Sequence, residues 1–164
     1  MAKTAETKTN VMRILDQKRI AYTAHSYPHA EGRAVDGATV ASLLGMAPER
    51  VFKTLVTKGA SGAYYVFDIP VKETLDLKKA ARAVGEKSVA MLSGRDLLPL
   101  TGYVHGGCSP VGMKKQFPTV LHASALEQET IVVSGGRIGV QVELQPQALI
   151  TLLRAAAADV IAEA

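Results

Sequence analysis

Cysteine is almost missing from this chain. Cys108 is the only one, so no disulfide can form within it. Tryptophan is absent and aromatic residues make up 5%, which leaves no evident platform for stacking single-stranded bases. The four histidines, His25, His29, His105 and His122, have no Cys/His zinc spacing, and no metal or cofactor is expected. No apolar run approaches the roughly 20 residues that cross a bilayer. The opening MAKTAETKTN has no apolar leader segment. Internal repeats and low-complexity linkers are lacking. These absences argue against collagen, coiled-coil, disordered, membrane and disulfide-scaffold classes, and a soluble cytoplasmic protein is expected. Neither sign of charge dominates: 19 Lys and Arg face 15 Asp and Glu, a net of +4. That surplus permits a polyanionic partner such as RNA without demanding one. The short pairs Lys78-Lys79 and Lys114-Lys115 read most simply as solvated lysines.

What is present is ordinary globular material, 48% hydrophobic and 21% charged over 164 residues. One domain spanning 1–164, with one sizeable core, is expected. Residues 4–19 carry an apolar stripe of Val11, Ile14 and Leu15 at helical spacing. Strand character follows over 20–27, then a polar loop to Gly37 and a short helix from Thr39 to Leu44 stopped by Gly45. Residues 51–58 and 63–70 read as a hairpin around Gly59-Ala60-Ser61-Gly62. Asp76 should cap a helix over 77–84 that stops at Gly85. A short strand is expected at 88–92, then a helix capped by Ser93 and ended by Pro99. A second hairpin, 130–134 with 138–144, is expected to turn at Gly135-Gly136, and a final helix should run from Pro146 toward Ala162. Hairpins outnumber βαβ units. The expected fold is therefore α+β: a mixed, mostly antiparallel sheet with helices around it, not a doubly wound one.

Three features could carry chemistry. Lys53 lies in Val51-Phe52-Lys53-Thr54-Leu55-Val56, flanked by apolar residues on a strand. It is either a cation gripping a phosphate, carboxylate or carbonyl oxygen, or an edge-strand lysine reaching solvent. The stretch Thr101 to Gly112 holds four glycines and a proline. Its backbone could approach a ligand closely and offer N–H donors, or it could simply turn tightly. It matches neither a P-loop nor GxGxxG. Cys108 sits in that loop three residues from His105, but nothing completes a triad, and a small semi-buried thiol is the simpler reading. His25 and His29 fall on strand and loop, so their spacing makes no metal pair. Asp36, Asp68 and Asp96 show no pairing that sequence reveals.

Several segments together carry a resemblance. Val51-Phe52-Lys53-Thr54-Leu55 is followed by Asp76-Leu77-Lys78-Lys79-Ala80 and Gly85-Glu86-Lys87. Then come Thr101-Gly102-Tyr103, Gly106-Gly107-Cys108-Ser109-Pro110, Gly112-Met113-Lys114-Lys115, Pro118-Thr119 and Val133-Ser134-Gly135-Gly136-Arg137. In this order, from about Tyr22 to Leu149, they resemble the YbaK/EbsC family of free-standing aminoacyl-tRNA editing proteins. That family is similar to the insertion editing domain of bacterial prolyl-tRNA synthetases. The resemblance implies a mixed sheet or barrel-like core surrounded by helices. It implies hydrolytic clearance of a wrong amino acid, cysteine on tRNA(Pro) first, since a small difference in size discriminates poorly. It further implies that the substrate's own thiol attacks its ester, with the protein positioning and supporting charge. By the same resemblance Lys53 would anchor the terminal nucleotide or its phosphate beside Thr54. Gly106 and Gly107 would present backbone groups to the aminoacyl carbonyl. Tyr27 would line the pocket, and Ser134 and Gly135 would border it. Asp36 stands where members carry an aromatic residue, and Gln141 where they can carry aspartate; both bear on which amino acid is accepted. Aminoacyl-tRNA, with prolyl-tRNA synthetase as helper, would be the partners, and neither membrane nor DNA is expected. Two alternatives stay open: the same fold acting on another ester such as Ala-tRNA(Pro), and a non-catalytic tRNA- or nucleotide-binding module.

Overall fold

The computed structural model describes residues 8–163. The Thr9 side chain accepts a hydrogen bond from the Met12 N–H and starts helix α1, Asn10–Gln17, which buries Val11, Met12 and Leu15. The part of the expected helix before residue 8 lies outside the described residues. Strand β1 is Thr23–Ser26. Helix α2, Gly37–Leu44, begins two residues before its expected start because Asp36 caps it. Its carboxylate accepts from the Thr39 N–H at 3.1 Å and from the Thr39 hydroxyl at 2.6 Å. Gly45, with φ of 68°, ends α2. A 3-10 turn at Pro48–Arg50 leads into the hairpin β2, Phe52–Gly59, and β3, Tyr64–Pro70. Helix α3, Leu77–Val84, is capped by Asp76 and stopped by Gly85, and strand β4 is Val89–Met91.

Helix α4, Gly94–Thr101, runs past Pro99 instead of stopping there. Proline removes one donor and so one intrahelical bond. Gly102, at φ 87°, takes the left-handed stop instead, and its N–H reaches the Leu98 carbonyl at 2.8 Å. Ser93 occupies the cap position without a side-chain bond. Strand β5, Thr119–His122, has no counterpart in the expected element order; all four residues are buried, so it lacks the alternation that marks a half-exposed strand.

The second hairpin pairs β6, Ile131–Arg137, with β7, Val140–Leu144. Gly135-Gly136 is not its turn. It forms a bulge inside β6, between Ser134 and Arg137, and the chain reverses at Ile138-Gly139. Helix α5 is Pro146–Leu153. It ends at Arg154, whose φ is 54°, well short of Ala162. Residues Ala156–Ala158 instead form β8 along the open edge of β5. Alanine favours helix by only tenths of a kcal/mol per residue, and a buried strand edge offers partners for every backbone group.

Two open sheets result, with strand orders β1-β7-β6 and β4-β2-β3-β5-β8. Four of the six pairings are antiparallel; β3 with β5 and β5 with β8 are parallel. The core is therefore mixed and mostly antiparallel, but the sheets do not close into a barrel. They meet where Val51 bridges Val132, and Ala41 of α2 packs on that pair. A second tie is polar. Arg50 reaches Glu143 and the Thr130 hydroxyl, both at 2.6 Å, and His25 Nε2 lies 2.8 Å from the other Glu143 oxygen. Apolar cores lie under α1 and α5 against the smaller sheet, and under α3 against the larger.

Candidate active site

Strand β4 pairs only with Thr57–Gly59, so the opposite end of β2 has no strand on that edge. A cleft of about 350 Å³ takes in this uncovered stretch, Val51 to Leu55, near the seam between the sheets. That volume suits a small-molecule site. Asp36 to Ala38 and Val40 form one wall, and Tyr27, Ser134 and Gln141 another. Leu97, His105, Gly106 and Cys108 supply the side formed by α4 and the glycine-rich loop.

Of the residues singled out in the sequence, Lys53, Thr54, Tyr27, Asp36, Gly106, Ser134 and Gln141 all border this cleft. Lys53 is half-buried and makes no hydrogen bond or ion pair among the described residues. Burial holds its ammonium below the ordinary lysine value, with Glu73 pulling weakly the other way. Ser134 and Gln141 face each other across β6 and β7. Both are buried, and the Gln141 carbonyl oxygen has no hydrogen-bond partner. Tyr27 is buried too, its N–H bonded to the Gly139 carbonyl at 3.0 Å. Asp36 is exposed and occupied with capping α2; the two bonds from Thr39 keep its carboxyl below the usual range.

Gly107 and Gly135 do not border the cleft. The Gly107 N–H donates to the Val104 carbonyl at 2.9 Å and so has no proton to offer an aminoacyl group. A Cβ at Gly107 would lie 2.9 Å from Arg137 Cα and from Ile138 N. This glycine lets the loop dock on the β6–β7 turn. Gly106, at φ 88°, leaves space for Ala34, which a Cβ would meet at 2.6 Å. The loop is braced from inside: the Tyr103 hydroxyl donates to the Val111 carbonyl at 2.5 Å, and the Ser109 hydroxyl accepts from the Val111 N–H.

Cys108 is held in its protonated form at neutral pH. Burial, with the Asp68 carboxylate adding to it, pushes the thiol up to about 12. His105 is exposed and makes no hydrogen bond to Cys108. Among the described residues no three His, Cys, Asp or Glu side chains gather as a metal site.

The partner that sequence does not reveal for Asp68 lies beneath the cleft. Asp68 is fully buried on β3, directly opposite Thr54. The Thr54 hydroxyl donates to Asp68 Oδ1 at 2.5 Å, and Oδ2 has no partner. Desolvation raises this carboxyl to about 7, against the pull of the Thr54 bond. A signal was available in Val66-Phe67-Asp68-Ile69-Pro70, where one carboxylate interrupts an apolar run.

Comparison with known proteins gives a consistent set of relatives. The profile of the aminoacyl-tRNA editing domain matches residues 31–152. The chain is 43% identical over 158 residues to EbsC of Enterococcus faecalis (strain ATCC 700802 / V583), covering 96% of each chain. EbsC is named as a candidate Cys-tRNA(Pro)/Cys-tRNA(Cys) deacylase. A crystal structure described as a candidate trans-editing enzyme for prolyl-tRNA synthetase superposes with a TM-score of 0.79 at 27% identity, over 93% of this chain and 95% of that one. The hypothetical protein APE2540 shares the fold, with a TM-score of 0.84 at 23% identity over 94% and 100% of the two chains.

Proposed function

The chain belongs to the aminoacyl-tRNA editing domain family, and from that premise we propose that it is a deacylase removing cysteine mischarged onto tRNA(Pro). The observation that carries this reading is the half-buried, unpartnered ammonium of Lys53 at the cleft. A cation held there with no direct ion pair among the described residues, Glu73 acting on it from further off, suits the phosphate or ribose oxygens of a terminal aminoacyl-nucleotide. EbsC, with a name that specifies Cys-tRNA esters, supports the choice of amino acid. Prolyl-tRNA synthetase fits as the partner that hands over the misacylated tRNA.

Cys108 stays a thiol, and no Cys/His pair is formed. Water or the substrate itself is then left as the attacking group, and the resemblance favours the substrate: the cysteinyl sulfur closes on its own ester carbonyl and releases a thiolactone and free tRNA. The protein's share is to hold the ester in reacting geometry and to support charge. The test compares free Cys-tRNA(Pro) with the same ester carrying a methylated thiol. Turnover confined to the free thiol is expected. Equal turnover of both would assign the attack to water.

A second reading is favoured by Gln141. Its neutral, unpartnered amide oxygen at the cleft can accept from the α-ammonium that every aminoacyl ester carries, so it does not by itself select a thiol. Alanine is the first alternative amino acid, with water as the attacking group.

A further inference from the structure

The deacylase reading leaves one step unassigned, the destination of the proton lost by the attacking group. We propose that Thr54 and Asp68 are the proton-accepting pair of the cleft, Thr54 meeting the substrate and Asp68 taking the proton through it. The proposal rests on the deacylase reading above.

The geometry is particular. Asp68 is fully buried, and its only hydrogen bond among the described residues is the one from Thr54 at 2.5 Å. Among the described residues no Lys, Arg or His forms an ion pair with it. The groups facing it are Thr54 from β2, Leu121 from β5 and the Cys108 thiol from the glycine-rich loop, with Tyr103 beyond Cys108. Lys53 is the neighbour of Thr54 on β2 but alternates to the other face of the strand. A buried carboxylate without a counter-ion is costly, and such groups concentrate where a proton must move. A purely structural anchor for Thr54 would need no charge, since an amide oxygen would accept the same bond. With its own proton directed at Asp68, the Thr54 oxygen is left to accept one from the cleft.

The step balances. The substrate S–H proton passes to Thr54 Oγ1 while the Thr54 proton passes to Asp68 Oδ1. The sulfur lone pair forms the C–S bond at the ester carbonyl carbon, and the C–O bond to the ribose breaks. The proton held on Asp68 returns through Thr54 to the ribose oxygen. Nothing is oxidised or reduced. Burial already brings the Asp68 carboxyl to about 7, close to the operating pH at which a general base works best. Thr54 is the catalytic member, and Asp68 acts through it.

The experiment is single-turnover deacylation of Cys-tRNA(Pro) across about pH 5 to 9 by wild type, Asp68→Asn, Thr54→Val and Thr54→Ser. The wild-type rate should climb about tenfold per pH unit and level off above about 7. Asp68→Asn and Thr54→Val should be slower by roughly 100-fold at the plateau, and Asp68→Asn should lose the levelling near 7, its rate rising instead with ionisation of the substrate thiol. The half-saturating concentration for Asp68→Asn should stay at the wild-type value, and Thr54→Ser should keep the wild-type profile. A wild-type rate and profile in Asp68→Asn overturns the proposal. If that variant does not fold, equal rates for Thr54→Val and Thr54→Ser overturn it instead. If wild type cleaves only Ala-tRNA(Pro), the cysteine reading fails, and the same four proteins decide the pair on the alanyl ester, where water supplies the proton. Turnover of neither ester overturns both.

Discussion

Replacing Asp68 by asparagine should stabilise the protein in alkali and not in acid. In the folded state burial lifts this carboxyl from 3.8 to about 7. In the unfolded chain it returns to its ordinary value. A group whose folded value is raised contributes stability that is complete below the unfolded value and is lost as pH rises through the folded one. The window therefore runs from about pH 4 to about pH 7. At 1.36 kcal/mol per unit, the wild type loses on the order of 4 kcal/mol across it through this residue alone. Asparagine cannot ionise, so the variant loses none of this. Its bond from Thr54 is neutral, and the weaker bond costs about 1 kcal/mol in return. The net expectation above pH 8 is a variant more stable than wild type by about 2–3 kcal/mol, with the two close together near pH 4. Urea unfolding at the two pH values measures this directly. A difference between the proteins that does not change with pH would refute the reasoning. A variant both more stable in alkali and slower in deacylation would show stability sacrificed for function at one residue.

Four further outcomes are expected. Gly107→Ala should destabilise by about 1–3 kcal/mol, seen in thermal unfolding, because its Cβ would press on the backbone of Arg137 and Ile138; unchanged stability would mean that the loop shifts freely. Glu143→Gln should cost about 1–3 kcal/mol at neutral pH by weakening the contacts to Arg50, Thr130 and His25. The Glu143 carboxyl is held below its usual range, first by the Thr130 hydroxyl and then by His25, so the gap to wild type should shrink as pH falls through the carboxylate range. Cys108→Ser should keep most of the deacylase activity, and the wild-type thiol should react slowly with alkylating reagents at pH 8, since it is pushed up to about 12. Lys53→Arg should not restore what Lys53→Ala loses, because a planar fork does not replace a point charge in a half-buried site.

Much of this architecture was legible because local chemistry and tertiary context agree. Asp76 and Gly85 bracket α3 as cap and stop, and the two-glycine loop at 59–62 sits inside a hairpin of matched strands. The misreadings fall where context overrides local preference. The alanines at 156–158 favour helix in isolation but complete a sheet edge. Gly135-Gly136 reads as a turn but serves as a bulge, because the β6–β7 register is set by Ser134 opposite Gln141. At the cleft, Lys53 was legible because a lysine amid strand-forming apolar residues conflicts with burial. Asp68 carries the same conflict, but its meaning depends on Thr54, fourteen positions away, a pairing that only the hairpin register reveals. The Gly107 N–H likewise looks available in sequence and is occupied in the fold by Val104.

Whether the cleft at Lys53 deacylates a cysteinyl ester is measured most directly by deacylation of Cys-tRNA(Pro) beside Ala-tRNA(Pro), by wild type and by Lys53→Ala. Wild type should turn over the cysteine ester alone, and the rate should fall by roughly 100-fold in the variant. Equal turnover by Lys53→Ala, or tRNA binding with strong salt dependence and no turnover of either ester, would contradict this reading.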